Sequence, residues 1–354
     1  MSRVELKNVT KRYGDAVAVH DLSLDIREGE FLTLLGPSGC GKTTTLRMVA
    51  GFVLPTSGTV RLGDDDVTHL PPNKRGIGMV FQDYALFPHM TIGENIAFGL
   101  TERRVAKSEI ATRVKELLEM VRLASLEHRY PPELSGGQQQ RIAVARAVAY
   151  SPRVLLMDEP LGALDLKLRE VMQAEIRQIQ QRLGTTTVYV THDQTEAMHM
   201  SDRIVVMNDG RIEQIGSAEE IYDRPVTRFV ASFIGQINLL NAAVVGRDGN
   251  AAIVEIAGRR LKVNDSGQAA GPITLGLRRE HLELCTQSAA PTGFNVLPGQ
   301  IVGRTFSGNL VHVEVALDGG QSVTVDVRPE AAVTAPGTPI SVAWPPQRGT
   351  ILLH

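Results

Sequence analysis

The chain is poor in cysteine. Cys40 and Cys285 are its only two among 354 residues, and they stand far apart. Two thiols in a chain this long make no disulfide framework, so a reducing, cytosolic setting is expected. Long apolar runs are also missing. No stretch approaches the ~20 apolar residues that cross a bilayer. The first residues, MSRVELKNVTKRYGD, carry charges throughout and contain no apolar h-region, so no signal peptide is expected. The chain is expected to be soluble by itself, which leaves docking onto a membrane protein open. An excess of basic charge is absent too: 37 Lys and Arg face 39 Asp and Glu, a net charge of −2. General nucleic-acid binders more often carry a basic surplus, so no nucleic-acid partner is expected. Tandem repeats, low-complexity linkers and long heptad runs are also lacking.

What is present is ordinary globular composition, 43% hydrophobic and 21% charged, at a length suited to about two domains. Up to residue 236 the patterns alternate between strand and helix, which predicts an α/β domain over 1–236. RVELKNVT and LSLDI alternate as half-buried strands do. FLTLLG, RVLLMDEP and TTTVYVTHD are short apolar runs of the buried-strand kind. TTTLRMVAG reads as a helix closed by Gly51. Ile110, Val114, Leu117, Leu118 and Val121 form one apolar face of a helix over Lys107 to Val121. Beyond residue 236 short β-type runs (AAIVEIAG, ITLGL, LVHVEVAL, SVTVDV, ISVAW) are divided by Gly, Pro and Asp. They predict a small all-β, OB-like domain over 237–354.

GPSGCGKT, Gly36 to Thr43, fits G-x-x-x-x-G-K-[ST] between a buried strand and a helix, the context that this phosphate loop requires. Its glycines, Gly36, Gly39 and Gly41, let the backbone curl so that the N–H groups of the loop, Pro37 excepted, turn toward phosphate oxygens. Pro37, Ser38, Cys40 and Thr44 belong to the same cradle, and the helix adds its positive end. Lys42 supplies charge for the β- and γ-phosphates and Thr43 a hydroxyl for Mg2+. Cys40 reads first as a small packing residue.

Downstream, RVLLMDEP delivers Asp158 and Glu159 at a strand end. Neighbours on a strand point apart, so the backbone must twist there for both to face a nucleotide. Asp158 then suits the metal and Glu159 the attacking water. His192 in VTHDQTEA is placed to hydrogen-bond a γ-phosphate. Gln82 in MVFQDYALFPHMT is placed to ligate Mg2+ or the water through its carbonyl. The metal set is thus Thr43, Gln82 and Asp158. LSGGQQQR sets Ser135 as an N-cap before a helix whose first residues, Gly136, Gly137 and Gln138, offer a second anion site without a lysine.

Taken in order, these pieces resemble the ATP-binding cassette (ABC) ATPases over about Val4 to Ile234. The resemblance covers Tyr13 in KRYGD, the phosphate loop, Gln82, LSGGQ, Asp158–Glu159, GALD (Gly162 to Asp165) and His192. It implies a P-loop NTPase fold with a helical subdomain at about 85–150, and ATP and Mg2+ as cofactors. Tyr13 then stacks on adenine. Ser135, Gly136, Gly137 and Gln138 face the ATP of a second subunit, and Asp165 lies in the loop crossing that interface. One departure is Gly162, where family members commonly have Ser, so an interface hydrogen bond through that hydroxyl is lost. GLRREHLEL resembles a stretch of the accessory (TOBE-like) β domain of importer ATPases, with Arg279 where Pro is usual.

The resemblance therefore implies an importer subunit, closest in look to the polyamine and ferric-iron branch, with phosphonate and sugar as alternatives. It implies a homodimer, two permease subunits, an extracytoplasmic solute-binding protein, and a peripheral position on the cytoplasmic face of the inner membrane. Tyr84, Leu86, Phe87 and Phe98 are candidates to line a groove for a permease helix. The competing class is a non-transport ABC ATPase acting on nucleic acid or the ribosome, which usually carries two cassettes or a coiled coil. An exporter ATPase is the third reading, and a ligand sensor in the β region the fourth.

Overall fold

The computed structural model describes the chain except residues 1, 163, 265, 266, 268, 287–289, 331–334, 353 and 354. It divides into two compact units, Met1–Glu219 and Glu220–His354. By packing, residues 220–236 go with the β-rich unit.

The first unit is built on a six-stranded sheet. Its order is Arg211–Gly216, Arg203–Asn208, Phe31–Leu35, Thr186–Thr191, Val154–Asp158, Ile77–Val80. All neighbours pair in parallel except the first two, which are antiparallel. Every residue of Phe31–Leu35, Val154–Asp158 and Thr186–Thr191 is buried. A parallel sheet covered on both faces needs such continuous runs, which is why these segments do not alternate. The strands read as half-buried, Val4–Tyr13 and Ala16–Ile26, instead enter a separate antiparallel sheet with Ser57–Leu62 and Asp65–Asp66.

Two cores flank the parallel sheet. One packs α1 (Lys42–Ala50) and the antiparallel sheet against it through Leu46, Val49, Leu6 and Val60. The other gathers α2 (Ile92–Glu102), α3 (Lys107–Met120), α4 (Gly136–Val148) and α5 (Leu166–Leu183). In α3 the expected face holds: Val114, Leu117, Leu118 and the following Val121 are buried, and Ile110 packs partly against them. Helix α2 starts with a capping box, Thr91 with Glu94. Among the described residues no helix is long and apolar enough to cross a membrane.

The second unit holds two five-stranded antiparallel sheets. They share one core that includes Leu240, Val254, Leu275, Val313, Val325 and Trp344. All five β-type runs named above are strands. Others escaped the reading, among them Ile237–Asp248 and Asn295–Phe306, because their burial alternates weakly over long stretches.

Candidate functional site

The phosphate loop is shaped by close packing. Gly41 caps the start of α1 at φ 100°, and a Cβ there would lie 2.6 Å from the Ala18 carbonyl oxygen. At Gly36 a Cβ would lie 2.3 Å from the Met207 oxygen. Neither position admits a side chain. Lys42, 4% exposed, donates from Nζ to the carbonyls of Gly36 (2.8 Å) and Pro37 (2.9 Å). Cys40 is buried, and its thiol pKa is raised by burial against the pull of the Lys42 ammonium. Cys40 packs with Val19 and Leu46, as a small core residue would.

Asp158 closes its strand 6% exposed, and Thr43 Oγ1 donates to its Oδ1 at 3.0 Å. Arg47 stands 3.8 Å from Oδ2. Burial raises the Asp158 carboxyl pKa, and the nearby Glu159 adds to that; Thr43, Arg47 and Lys42 pull the other way. A desolvated carboxylate beside a hydroxyl is a hard-oxygen pair suited to Mg2+. Among the described residues no three His, Cys, Asp or Glu side chains gather as a metal site.

Glu159 adopts φ 45°, a left-handed conformation rare for a residue with a side chain. This is the backbone twist that the adjacent acids call for. Its N–H donates to Val190 O at 3.0 Å, and its Oε2 lies 3.2 Å from Nδ1 of His192. The residues around His192 are held firmly. Thr191 and Tyr189 donate to the buried Glu196, both at 2.7 Å, and Asp193 caps α6 (Gln194–Met200) by accepting from Thr195 and Glu196.

Gln82 follows the strand Ile77–Val80 and is exposed. A Cβ at Gly162 would sit 4.0 Å from Gln82 Nε2, so these two motifs are neighbours. Tyr13, 52% exposed, pairs with Ala16 across its hairpin, and Ala18 two residues on abuts Gly41. The Lys11 ammonium covers one face of the Tyr13 ring at 4.8 Å. Asp165 caps α5 by accepting from Leu168 N–H at 3.1 Å.

The structure thus brings the phosphate loop, Asp158, Glu159 and His192 together, with Gln82 and Gly162 adjacent to each other. Ser135 and Gln138 form the start of α4, where Gln138 Oε1 accepts from Ser135 N–H at 3.0 Å. Among the described residues no hydrogen bond or ion pair joins Ser135, Gly136, Gly137 or Gln138 to the phosphate loop. Tyr84 does not line a groove as expected: it is 7% exposed and packs in the core beside the helices, at a left-handed φ of 61°. Leu86, Phe87 and Phe98 stay partly open, with the last two rings 4.6 Å apart.

Two arginines escaped the reading. Arg146 on α4 donates to the carbonyls of Ala85 (2.7 Å) and Tyr84 (2.9 Å), both left-handed residues just after Gln82. Arg169 on α5 joins Leu164 O (3.2 Å) to Asp193 (2.9 Å), linking the stretch before Asp165 to the one after His192. The links of Arg146 to Tyr84 and Ala85 and of Arg169 to Asp193 join positions distant in the chain, so no local pattern marks them.

A phosphate loop on a buried parallel sheet, faced by a strand-end Asp–Glu pair, defines a P-loop nucleotide hydrolase. The family profile described as ABC transporter matches residues 19–162, and one described as TOBE domain matches 275–352. The spermidine/putrescine import ATP-binding protein PotA of Rubrobacter xylanophilus is 48% identical over 99% of this chain and 93% of its own. The Fe(3+) ions import ATP-binding protein FbpC of Rhizobium etli is 47% identical over 91% of this chain and 90% of its own. A dimeric structure of a bacterial ABC transporter cassette aligns with TM-score 0.55 and 36% identity, covering 61% of this chain and 98% of that one. The chain belongs to the family of ABC transporter import ATP-binding subunits, which are ATPases.

Proposed function

We propose that this chain hydrolyses ATP to energise import of a polyamine of the spermidine or putrescine kind. The reading is carried by the 48% identity, over 99% of the chain, to a relative named for that import. The ferric-iron relative, at 47% over 91%, favours Fe(3+) as the second reading. Residues 1–236 form the cassette, with a helical subdomain at about 85–150, and residues 237–354 the accessory domain.

Lys42 and the loop N–H groups hold the β- and γ-phosphates, and Tyr13 stacks on adenine through the ring face that Lys11 leaves open. Thr43, Asp158 and Gln82 hold Mg2+, which neutralises phosphate charge when bound. Glu159 accepts a proton from the attacking water, and His192 orients it. Ser135, Gly136, Gly137 and Gln138 meet the γ-phosphate of a second copy, with Asp165 at that interface. Lacking charge, this second site grips only on closure, so ATP shifts the equilibrium toward a closed homodimer. Two permease subunits docked near Leu86, Phe87 and Phe98 couple closure to transport, an external binding protein delivers the solute, and the ATPase stays peripheral on the cytoplasmic face of the inner membrane.

Uptake of labelled spermidine, putrescine and Fe3+ in a deletion strain tests the reading. Polyamine uptake should disappear, and return with the wild-type chain but not with Glu159→Gln. Loss of iron uptake alone moves the assignment to the second reading, and no change in either overturns both.

A further inference from the structure

Within the second unit lies a cavity of about 810 Å3. Its volume falls in the range of small-molecule sites and is far larger than a simple ion needs. Among the described residues three arginines line it, Arg224, Arg278 and Arg348, with His281, against one lining carboxylate, Asp223. This charge imbalance sits in a chain that is acidic overall, at −2.

Arg278 is buried, 4% exposed. Its guanidinium donates to the carbonyls of Tyr222 (2.8 Å), Ala231 (3.4 Å) and Ile234 and rests on the Tyr222 ring at 4.1 Å. Every one of these acceptors is neutral. Among the described residues no carboxylate pairs with it directly. Nearby Glu280 accepts from the Tyr222 hydroxyl, whose pKa is pushed up to about 12 chiefly by burial. Burial draws the Arg278 pKa down more than Tyr222, Glu280 and Asp223 lift it. A buried cation satisfied in hydrogen bonds but not in charge favours an anion brought to its side. A second observation points the same way. His281 Nδ1 is buried and has no hydrogen-bond partner. Such an atom carries a desolvation cost that a ligand removes.

We propose that this cavity binds a metabolite-sized, multivalent oxyanion, with Arg278 and Arg348 balancing its charge and His281 Nδ1 completing its hydrogen bonds. The shared chemistry is the oxyanion, carried either by carboxylates or by phosphates. Binding here is independent of the phosphate loop and of which solute is transported.

The test is calorimetric titration of the full chain without nucleotide or Mg2+, using citrate as the polycarboxylate probe and pyrophosphate as the phosphate probe. Saturable binding of about one citrate per chain is expected, and of about one pyrophosphate per chain once the phosphate loop, which takes pyrophosphate too, is disabled. It should persist in Lys42→Ala, which disables the phosphate loop, weaken about tenfold or more in Arg348→Ala, and largely return in Arg348→Lys. Arg348 is exposed, so its loss leaves the fold intact. Binding of citrate alone assigns carboxylates as the ligand groups, and of pyrophosphate alone phosphates. The proposal is overturned if neither probe saturates by roughly 10 mM, if Arg348→Ala binds as the wild type does, or if Lys42→Ala abolishes binding.

Discussion

Nδ1 of His192 lies 3.2 Å from Oε2 of Glu159, although 33 residues separate them in the chain. The contact arises because neighbouring parallel strands end side by side and Glu159 turns left-handed at φ 45°. A base positioned for a water contributes about 10²–10⁴-fold. Glu159→Gln should therefore keep ATP binding, lose turnover by at least about 100-fold, and trap an ATP-dependent dimer. Sizing with ATP that shows only monomer counts against the closed-dimer mechanism.

Asp158 predicts a trade between stability and activity. Its carboxyl is raised by burial, so the folded chain holds a proton there more readily than the unfolded chain. The sign follows: stability from this group falls as pH rises from the ordinary carboxylate value of ~4 through the raised native one. Asp158→Asn removes the buried charge and keeps an acceptor for Thr43. Without Mg2+ or nucleotide it should unfold at a higher temperature than wild type at pH 7, with the gap narrowing in acid. Mg2+-dependent turnover should drop by roughly 100-fold or more. A lower unfolding midpoint at pH 7 would refute the account of the buried charge.

Gly41→Ala puts a methyl 2.6 Å from the Ala18 oxygen at a φ of 100°. Strain of this kind costs about 1–3 kcal/mol before the overlap is relieved. The relief must move the loop, so ATP affinity should fall at least about tenfold. Equilibrium binding of a fluorescent ATP analogue decides, and unchanged affinity refutes the packing argument.

Arg146→Ala leaves the carbonyls of Tyr84 and Ala85 without their donor. The expected loss is about 1–3 kcal/mol, read as a lower unfolding midpoint. Arg146→Lys should restore only part of it, since an ammonium cannot reproduce a planar fork. Full rescue by Lys would show that charge alone suffices.

Gly162→Ser should leave the midpoint within about 0.5 kcal/mol of wild type, because among the described residues a Cβ there meets only Glu159 O at 3.5 Å and Gln82 Nε2 at 4.0 Å. ATPase activity should reach its plateau at lower protein concentration if the added hydroxyl strengthens the dimer. An unchanged concentration profile removes that role from the position.

Much of the site was legible because its signals are contiguous. Gly36 to Thr43 carries spacing, glycine freedom and charge within one loop, and Asp158–Glu159 closes an apolar run. The α3 face was equally plain, since helical period is written in adjacent turns. Tyr84 misled for the opposite reason: an aromatic near Gln82 reads as surface or core alike until tertiary packing decides which side it takes. The long strands of the second unit were blurred because their alternation weakens toward exposed ends.

By itself, the sequence determined the order of motifs, the buried strands that present them and the local chemistry of the phosphate loop, since each depends on near neighbours in the chain. Only the tertiary structure decided that His192 meets Glu159, that Gly162 faces Gln82, that Arg146 holds the turn after Gln82 and that Arg278 is buried among carbonyls. Backbone carbonyls accept alike whatever residue bears them. A contact made to them across 44 to 62 positions leaves no mark in residue type, and only packing selects it.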